Sequence, residues 1–521
     1  QTAPPSLVKI TCATSQRGKV EFIPTAQDLP PTMTTIPPLF SLRSHRLRIC
    51  VLLMLALFHT VAMRVNMMMA IVAMVDVRNF REFWNTVDFD PAVFNETVRV
   101  DIEGGYTGSL LWIPPMQAVI FSGTFYGSLL TVFFTGRTIE RLGAKAILAV
   151  AISVSIAATV ATPILADSSF IALFVARMFM GAAESFVMPS IGAMASRWIP
   201  PSERFAMMEM ISSGNQLAAS FSAIVTAALC LSPMGWQSAY YFYALIASLW
   251  LVAWILLAAN SPEKCRVVSQ SEAEFLAKTI PVKPTPGRIP WRSILTSRPF
   301  IACLSCQCAF VYSGTIMQGF LPTFLRAQLR IPLKMNGLFT LIPFGTMLIM
   351  KTLFSLLTRR LNSTKLSTPS GRAKIFQSLS SIGCILAMIS MAFYANPDQL
   401  WIAIISLAVF GVSLAAAIPG FALSTQSLSP QHGTAVNQIS AVTGVVAAIS
   451  APMIMWLIMT LKVNGIVESI WKTAFSVACA LNLIAGVMFI VFGDVGDQGW
   501  RNDERTRKSR VYSIERIEKG K

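Results

Sequence analysis

Long apolar runs, broken at intervals by short polar stretches, dominate this chain. A hydrocarbon core about 30 Å thick takes about 20 helical residues at about 1.5 Å of rise each. Runs of that length lie at 47–75, 111–135, 146–166, 170–195, 207–231 and 239–259, and again at 299–325, 337–357, 375–395, 400–425, 433–459 and 469–492. The pattern predicts an all-α membrane protein with 12 transmembrane helices in two six-helix bundles. Its expected divisions are a terminal segment 1–46, a first bundle 47–259, a polar central loop 260–298, a second bundle 299–493 and a charged tail 494–521. The two terminal segments carry no sustained apolar period and are expected to be disordered or peripheral. Gln1 is not a start methionine, so a trimmed or incomplete amino terminus is expected.

Composition agrees with a bilayer as the solvent. Of the 521 residues 54% are hydrophobic and only 13% charged, with a mean hydropathy of +0.60, against about a quarter charged in soluble chains. The net charge of +17 does not form a stripe or a patch interleaved with aromatics, so it excludes a nucleic-acid partner and reads as a topology signal. Lys and Arg collect in alternate connections and in the tail, which places both termini on the cytoplasmic side. The connection between the first two runs is rich in acids and contains Asn95-Glu96-Thr97, expected to be glycosylated on the exoplasmic side. Asn362-Ser363-Thr364 falls on the other side and is expected to be unmodified. The nine cysteines do not form a disulfide framework. Cys303, Cys306 and Cys308 sit in an apolar run without a histidine, and read as packing residues and not a metal site. Neither metal nor cofactor is expected.

A charge at bilayer depth costs at least about 2.5 kcal/mol on insertion scales, so each one is a functional candidate. Arg64 lies just past the middle of the first run; Arg177 and Glu184, two helical turns apart, share one face of the fourth. Opposite helix directions bring the two arginines to a similar depth, where their planar donor forks suit a carboxylate or phosphate. Arg64 and Arg177 are the candidate substrate-binding residues, with Asn66 and Tyr126 as polar neighbours. Glu184 is the candidate proton-coupling group, since burial favours its neutral form and a nearby arginine its ionised one. The competing structural reading is that one arginine pairs permanently with Glu184. Lys351 either lines the pathway or snorkels to the interface; Gln216 and Asn437 are further pathway candidates. Gly123 to Gly127 reads first as a close helix contact, His59 as packing, and Met67 to Met69 as packing, not a copper site.

The order of these residues carries a family likeness. Gly136-Arg137-Thr138-Ile139-Glu140-Arg141-Leu142-Gly143-Ala144-Lys145 resembles the loop motif of the major facilitator superfamily, with Glu140 where aspartate is usual. The resemblance implies the major facilitator fold and makes Gly136, Glu140, Arg141, Gly143 and Lys145 a gating loop. Arg64-Val65-Asn66 leading to Ala70-Ile71 and Met74, then Arg177 to Glu184, Pro189, Trp198, Pro200-Pro201-Ser202-Glu203-Arg204, Gly235-Trp236 and Ser261-Pro262-Glu263 are similar to the solute carrier family seventeen anion transporters. That family includes sialin, phosphate cotransporters and vesicular glutamate transporters. Phe310 stands where the glutamate transporters have an arginine, Ser128 replaces a family tyrosine, and 411–438 departs from the family pattern. The resemblance therefore implies a transporter of a small anionic solute, coupled to H+ or Na+ by alternating access, without naming the substrate; a monomer is expected. A passive anion channel and a transport-inactive sensor are the competing functions. With no Ser/His/Asp set, metal cluster or phosphate-cradling loop on a span, the chain does not read as an enzyme.

Overall fold

The computed structural model describes residues 44–84, 91–265, 268–280, 289–363, 368–429, 432–463, 470–496 and 498. The segment before Ser44 and nearly all of the charged tail lie outside the described residues. The first bundle consists of α1 (His45–Met74), α2 (Pro114–Thr131), α3 (Ala144–Ser168), α4 (Phe170–Trp198), α5 (Arg204–Cys230) and α6 (Gln237–Leu257). The second consists of α7 (Arg298–Ala327), α8 (Leu333–Ser363), α9 (Pro369–Phe393), α10 (Pro397–Ser427), α11 (Gly433–Val463) and α12 (Ile470–Phe492).

Among the described residues, ten of these helices are long and apolar enough to cross a bilayer unaided. The other two are α2 and α5. The first qualifies only together with Thr135–Leu142, to which it is joined across a 66° bend. In α5, Glu209, Ser212, Ser213, Asn215 and Gln216 dilute the apolar pattern, because one of its faces meets the other bundle and not lipid. Breaks fall at marked positions. Ser185 and Phe186 interrupt α4 just after Glu184, and α10 turns through a π-type segment at Ile418–Ala422, where Gly420 takes φ −77° and ψ −112°.

The two bundles repeat one packing scheme. In the first, α1 packs on α5, α2 and α3 on α4, and α3 on α6; in the second, α7 packs on α11, α8 and α9 on α10, and α9 on α12. The seam between the bundles is made by α5 with α8, α2 with α11, and α1 with α7. Small residues permit the closest approaches. A Cβ on Gly127 would stand 1.8 Å from the Met178 carbonyl oxygen, and one on Gly181 1.7 Å from that of Thr124, so α2 and α4 meet backbone to backbone. Ser128 Oγ donates to the Gly181 carbonyl at 2.8 Å in the same contact.

The molecule has a basic face, where α1 begins, and an opposite face. On the basic face Glu272, from a short helix Gln270–Thr279, accepts the backbone N–H groups of His45 and Arg46 and pairs with Arg46 Nε at 3.0 Å. Arg46 Nη1 also pairs with Glu203 at 2.8 Å. Burial pushes the Glu203 carboxyl up, and the Arg46 charge beside it pulls back down.

On the opposite face, the segment between α1 and α2 folds over the second bundle. Arg326, at the end of α7 and fully buried, donates through Nε and Nη2 to Asp101, 3.2 Å each. It lies between the rings of Phe80 and Tyr106, 3.8 and 4.2 Å from their centroids, and Asp101 also binds Arg81. Burial pushes the Tyr106 phenol up to about 12, so it remains a donor, to the Ile331 carbonyl at 2.7 Å. Trp84 stacks on Trp471 at 5.2 Å, and Lys462 Nζ donates to the Phe83 carbonyl at 2.8 Å.

Candidate functional site

Helices from both bundles bring Arg64, Glu184 and their neighbours together at the seam. Arg64 projects from the middle of α1, Glu184 ends the first part of α4, and their side chains form an ion pair, Nη1 to Oε1, at 3.2 Å. Both remain partly accessible, at 16% and 19% of the side chain. From the second bundle, α7 supplies Gln318, whose Oε1 accepts from Arg64 Nη2 at 3.5 Å. The Arg64 guanidinium also lies 5.8 Å from the Phe125 ring of α2, and its Nε is buried without a hydrogen-bond partner.

Arg177 stands deeper in the first bundle. It is 3% exposed, and its Nη1 donates to the Met63 carbonyl and to Met180 Sδ, each at 3.5 Å. The guanidinium faces the Tyr240 ring of α6 at 6.0 Å, while Nε and Nη2 meet no hydrogen-bond acceptor. Among the described residues no carboxylate pairs with it. With Glu184 offsetting one arginine only, the site carries about one unbalanced positive charge, together with several N–H groups that lack acceptors. A small anion supplies both the charge and the acceptors.

The remaining candidates distribute around this centre. Asn66, two residues beyond Arg64, is fully buried, and both its amide atoms lack partners. Tyr126 donates to Met453 Sδ of α11 at 3.1 Å, closing the seam on the α2 side. Gln216 is buried on α5 and donates to Met347 Sδ of α8 at 3.8 Å. Asn437 is exposed near the start of α11. Lys351 does not reach an interface; it is buried, with Nζ donating to Ser212 Oγ of α5. In the gating-loop motif Gly136, Glu140 and Arg141 are exposed. Gly143 takes φ +84°, where a Cβ would meet Asn260 2.8 Å away, and Lys145 Nζ donates to the Ile255 carbonyl at 2.9 Å. Asn95 is exposed on the opposite face in the helix Pro91–Glu103. His59 packs edge-on against Phe58 in the first bundle.

Sequence reasoning missed Gln318 and Glu209. Gln318 is uncharged and in an apolar run, so nothing local marks it. Glu209 lies near the end of its run and passes for an interfacial acid, although its Oε1 is buried without a partner. Arg326 follows directly on the run 299–325, where nothing local marks it for burial, because its burial depends on a distant segment closing over it.

Comparison with known proteins agrees with this architecture. The family model described as Major Facilitator Superfamily matches residues 51–452. The chain is 28% identical over 508 residues to the uncharacterized transporter slc-17.3 of Caenorhabditis elegans, covering 92% of this chain and 94% of the relative. It is 25% identical over 460 residues to sialin of Homo sapiens, covering 88% and 91% of the two chains. A putative inorganic phosphate cotransporter of Drosophila ananassae is 25% identical over 459 residues, with coverage of 87% and 93%. The crystal structure of a D-xylose-proton symporter superposes with a TM-score of 0.61 at 12% identity, covering 87% of this chain and 99% of that one, a likeness of fold.

Proposed function

The chain belongs to the major facilitator superfamily and is a transporter with the sequence marks of solute carrier family seventeen; from that premise we propose that it moves a small carboxylate or phosphate anion by alternating access, coupled to H+ or Na+. The observation that carries this reading is the Arg64–Glu184 pair at the seam, with Arg177 behind it lacking a counter-charge. An anion arriving at the seam competes with Glu184 for the Arg64 guanidinium. A carboxylate deprived of its counter-ion in a dry site takes up a proton, so anion binding and proton uptake become one event. Rocking of the two bundles about the seam then exposes the loaded site to the other side.

In this reading the basic face is cytoplasmic and the opposite face, closed by Arg326 and Asp101, is exoplasmic or lumenal. The named relatives include sialin and a putative inorganic phosphate cotransporter, which supports an anionic cargo for this chain as well. The test is uptake into proteoliposomes across a panel of phosphate, sialic acid, glutamate and urate, under an imposed H+ or Na+ gradient. Accumulation above equilibrium is expected for at least one anion, with loss on Arg177→Ala. Full uptake by Arg177→Ala refutes the site, and saturation-free flux without accumulation favours a channel.

A further inference from the structure

Lys351 and Glu209 stand outside the anion site and face each other across the seam, where α8 runs along α5. Lys351 is 5% exposed. Its Nζ donates to Ser212 Oγ at 2.5 Å, to the Glu209 carbonyl oxygen at 3.3 Å and to Ser213 Oγ at 3.5 Å. Both serine hydroxyls donate back to the Glu209 carbonyl, at 3.0 and 2.9 Å. Their hydrogens are thereby committed, which leaves their lone pairs for the ammonium. The Glu209 carboxylate completes the group: Oε2 accepts from Ser355 Oγ at 2.7 Å, and Oε1 is buried without a hydrogen-bond partner.

One turn of α5 thus gathers a carbonyl and two hydroxyls around a single positive charge, with the Glu209 carboxylate held beside them by Ser355. Oxygen donors of this kind, backbone carbonyl included, are what a small hard cation requires. An ammonium presents the same unit charge, tethered to α8. We propose that this cluster is a monovalent-cation site at the seam whose resident cation is the chain's own Lys351 ammonium, which keeps Na+ out. The charge in the site travels with the second bundle and cannot dissociate, so exchange with dissolved cations is confined to other groups, Glu184 first among them. The cation site stands without the anion-transport reading; only its effect on uptake rests on it.

The test uses the purified full chain with no anion substrate added, so its result is separable from that of the uptake panel. Thermal unfolding of wild type, K351A and K351A/E209Q is followed in NaCl and in choline chloride at equal ionic strength. K351A is expected to gain a saturable, Na+-specific rise of about 2–4 °C, absent from wild type and lost in K351A/E209Q. In proteoliposomes, K351A uptake should gain a Na+ stimulation, measured against choline on both sides, beyond any that wild type shows, and K351A/E209Q should lose that gain. The proposal is overturned by a Na+-specific rise in wild type that E209Q removes, or by K351A responding to Na+ no more than to choline. K351A that folds only in Na+ supports it; K351A that fails to fold in Na+, K+ and choline alike counts against it.

Discussion

Single charges have very different weights in this protein, and burial decides which. Asp101 and Arg326 are 4% and 0% exposed in their ion pair, and Arg81 shares the same carboxylate. Asp101→Ala leaves two buried guanidiniums without a counter-charge, at a cost of about 3–5 kcal/mol, read as a lower melting temperature of the purified protein. The Arg99–Glu103 pair two residues away is 71% and 63% exposed, so Glu103→Ala should leave the same melting temperature unmoved. At the site, Glu184→Gln removes the group that balances Arg64. Anion uptake driven by a pH gradient should then lose its gradient dependence, while counterflow of the same anion at equal pH persists. The charged site residues were legible because any charge inside an apolar run is conspicuous. Gln318 was not, because an amide in such a run costs less and resembles ordinary packing.

At the scale of helices, the close contact of α2 and α4 is the most sharply constrained element. Gly181→Ala drives a methyl group into the Thr124 carbonyl, and overpacking of that kind costs about 1–3 kcal/mol or more. The expected result is a reduced monodisperse yield in size-exclusion chromatography. Gly192 on the same helix has open space where a methyl group would stand, and Gly192→Ala should leave that yield unchanged. Periodicity predicted α5 at 207–231, against an observed Arg204–Cys230, yet it carried no hint of why that run is less apolar than its neighbours. The reason is its partner: the polar turn at Glu209 to Ser213 faces Lys351, a residue 138 or more positions away.

The whole molecule is organised by a repeated bundle and by what differs between its two faces. On the opposite face Trp84 stacks on Trp471 and Lys462 reaches the Phe83 carbonyl, joining the first bundle's long connection to the second bundle. Removing the stack and the lysine contact together, Trp84→Ala with Lys462→Ala, should raise the fraction of molecules open on that face. A cysteine placed by Gln318→Cys should then react faster with an impermeant maleimide added from that side. The proposed orientation makes a separate prediction: protein from glycosylating cells should lose mass on enzymatic deglycosylation, and Asn95→Gln should abolish the shift.

The number, order and approximate limits of the helices were set by the sequence alone, because transfer of apolar side chains into lipid is a local quantity that sums along the chain. The charges worth attention were visible for the same reason. Which of them meet was decided by tertiary structure. Each residue turns about 100° around its helix, so a small rotation of α1 or α4 determines whether Arg64 finds Glu184, Gln318 or solvent. Arg177 shows the same dependence. Its place in the fourth run was plain, but its seclusion behind Met63 and Tyr240 arises only when α1 and α6 close around it. Pairings between residues more than a hundred positions apart follow from helix rotation and packing, which no stretch of hydropathy encodes.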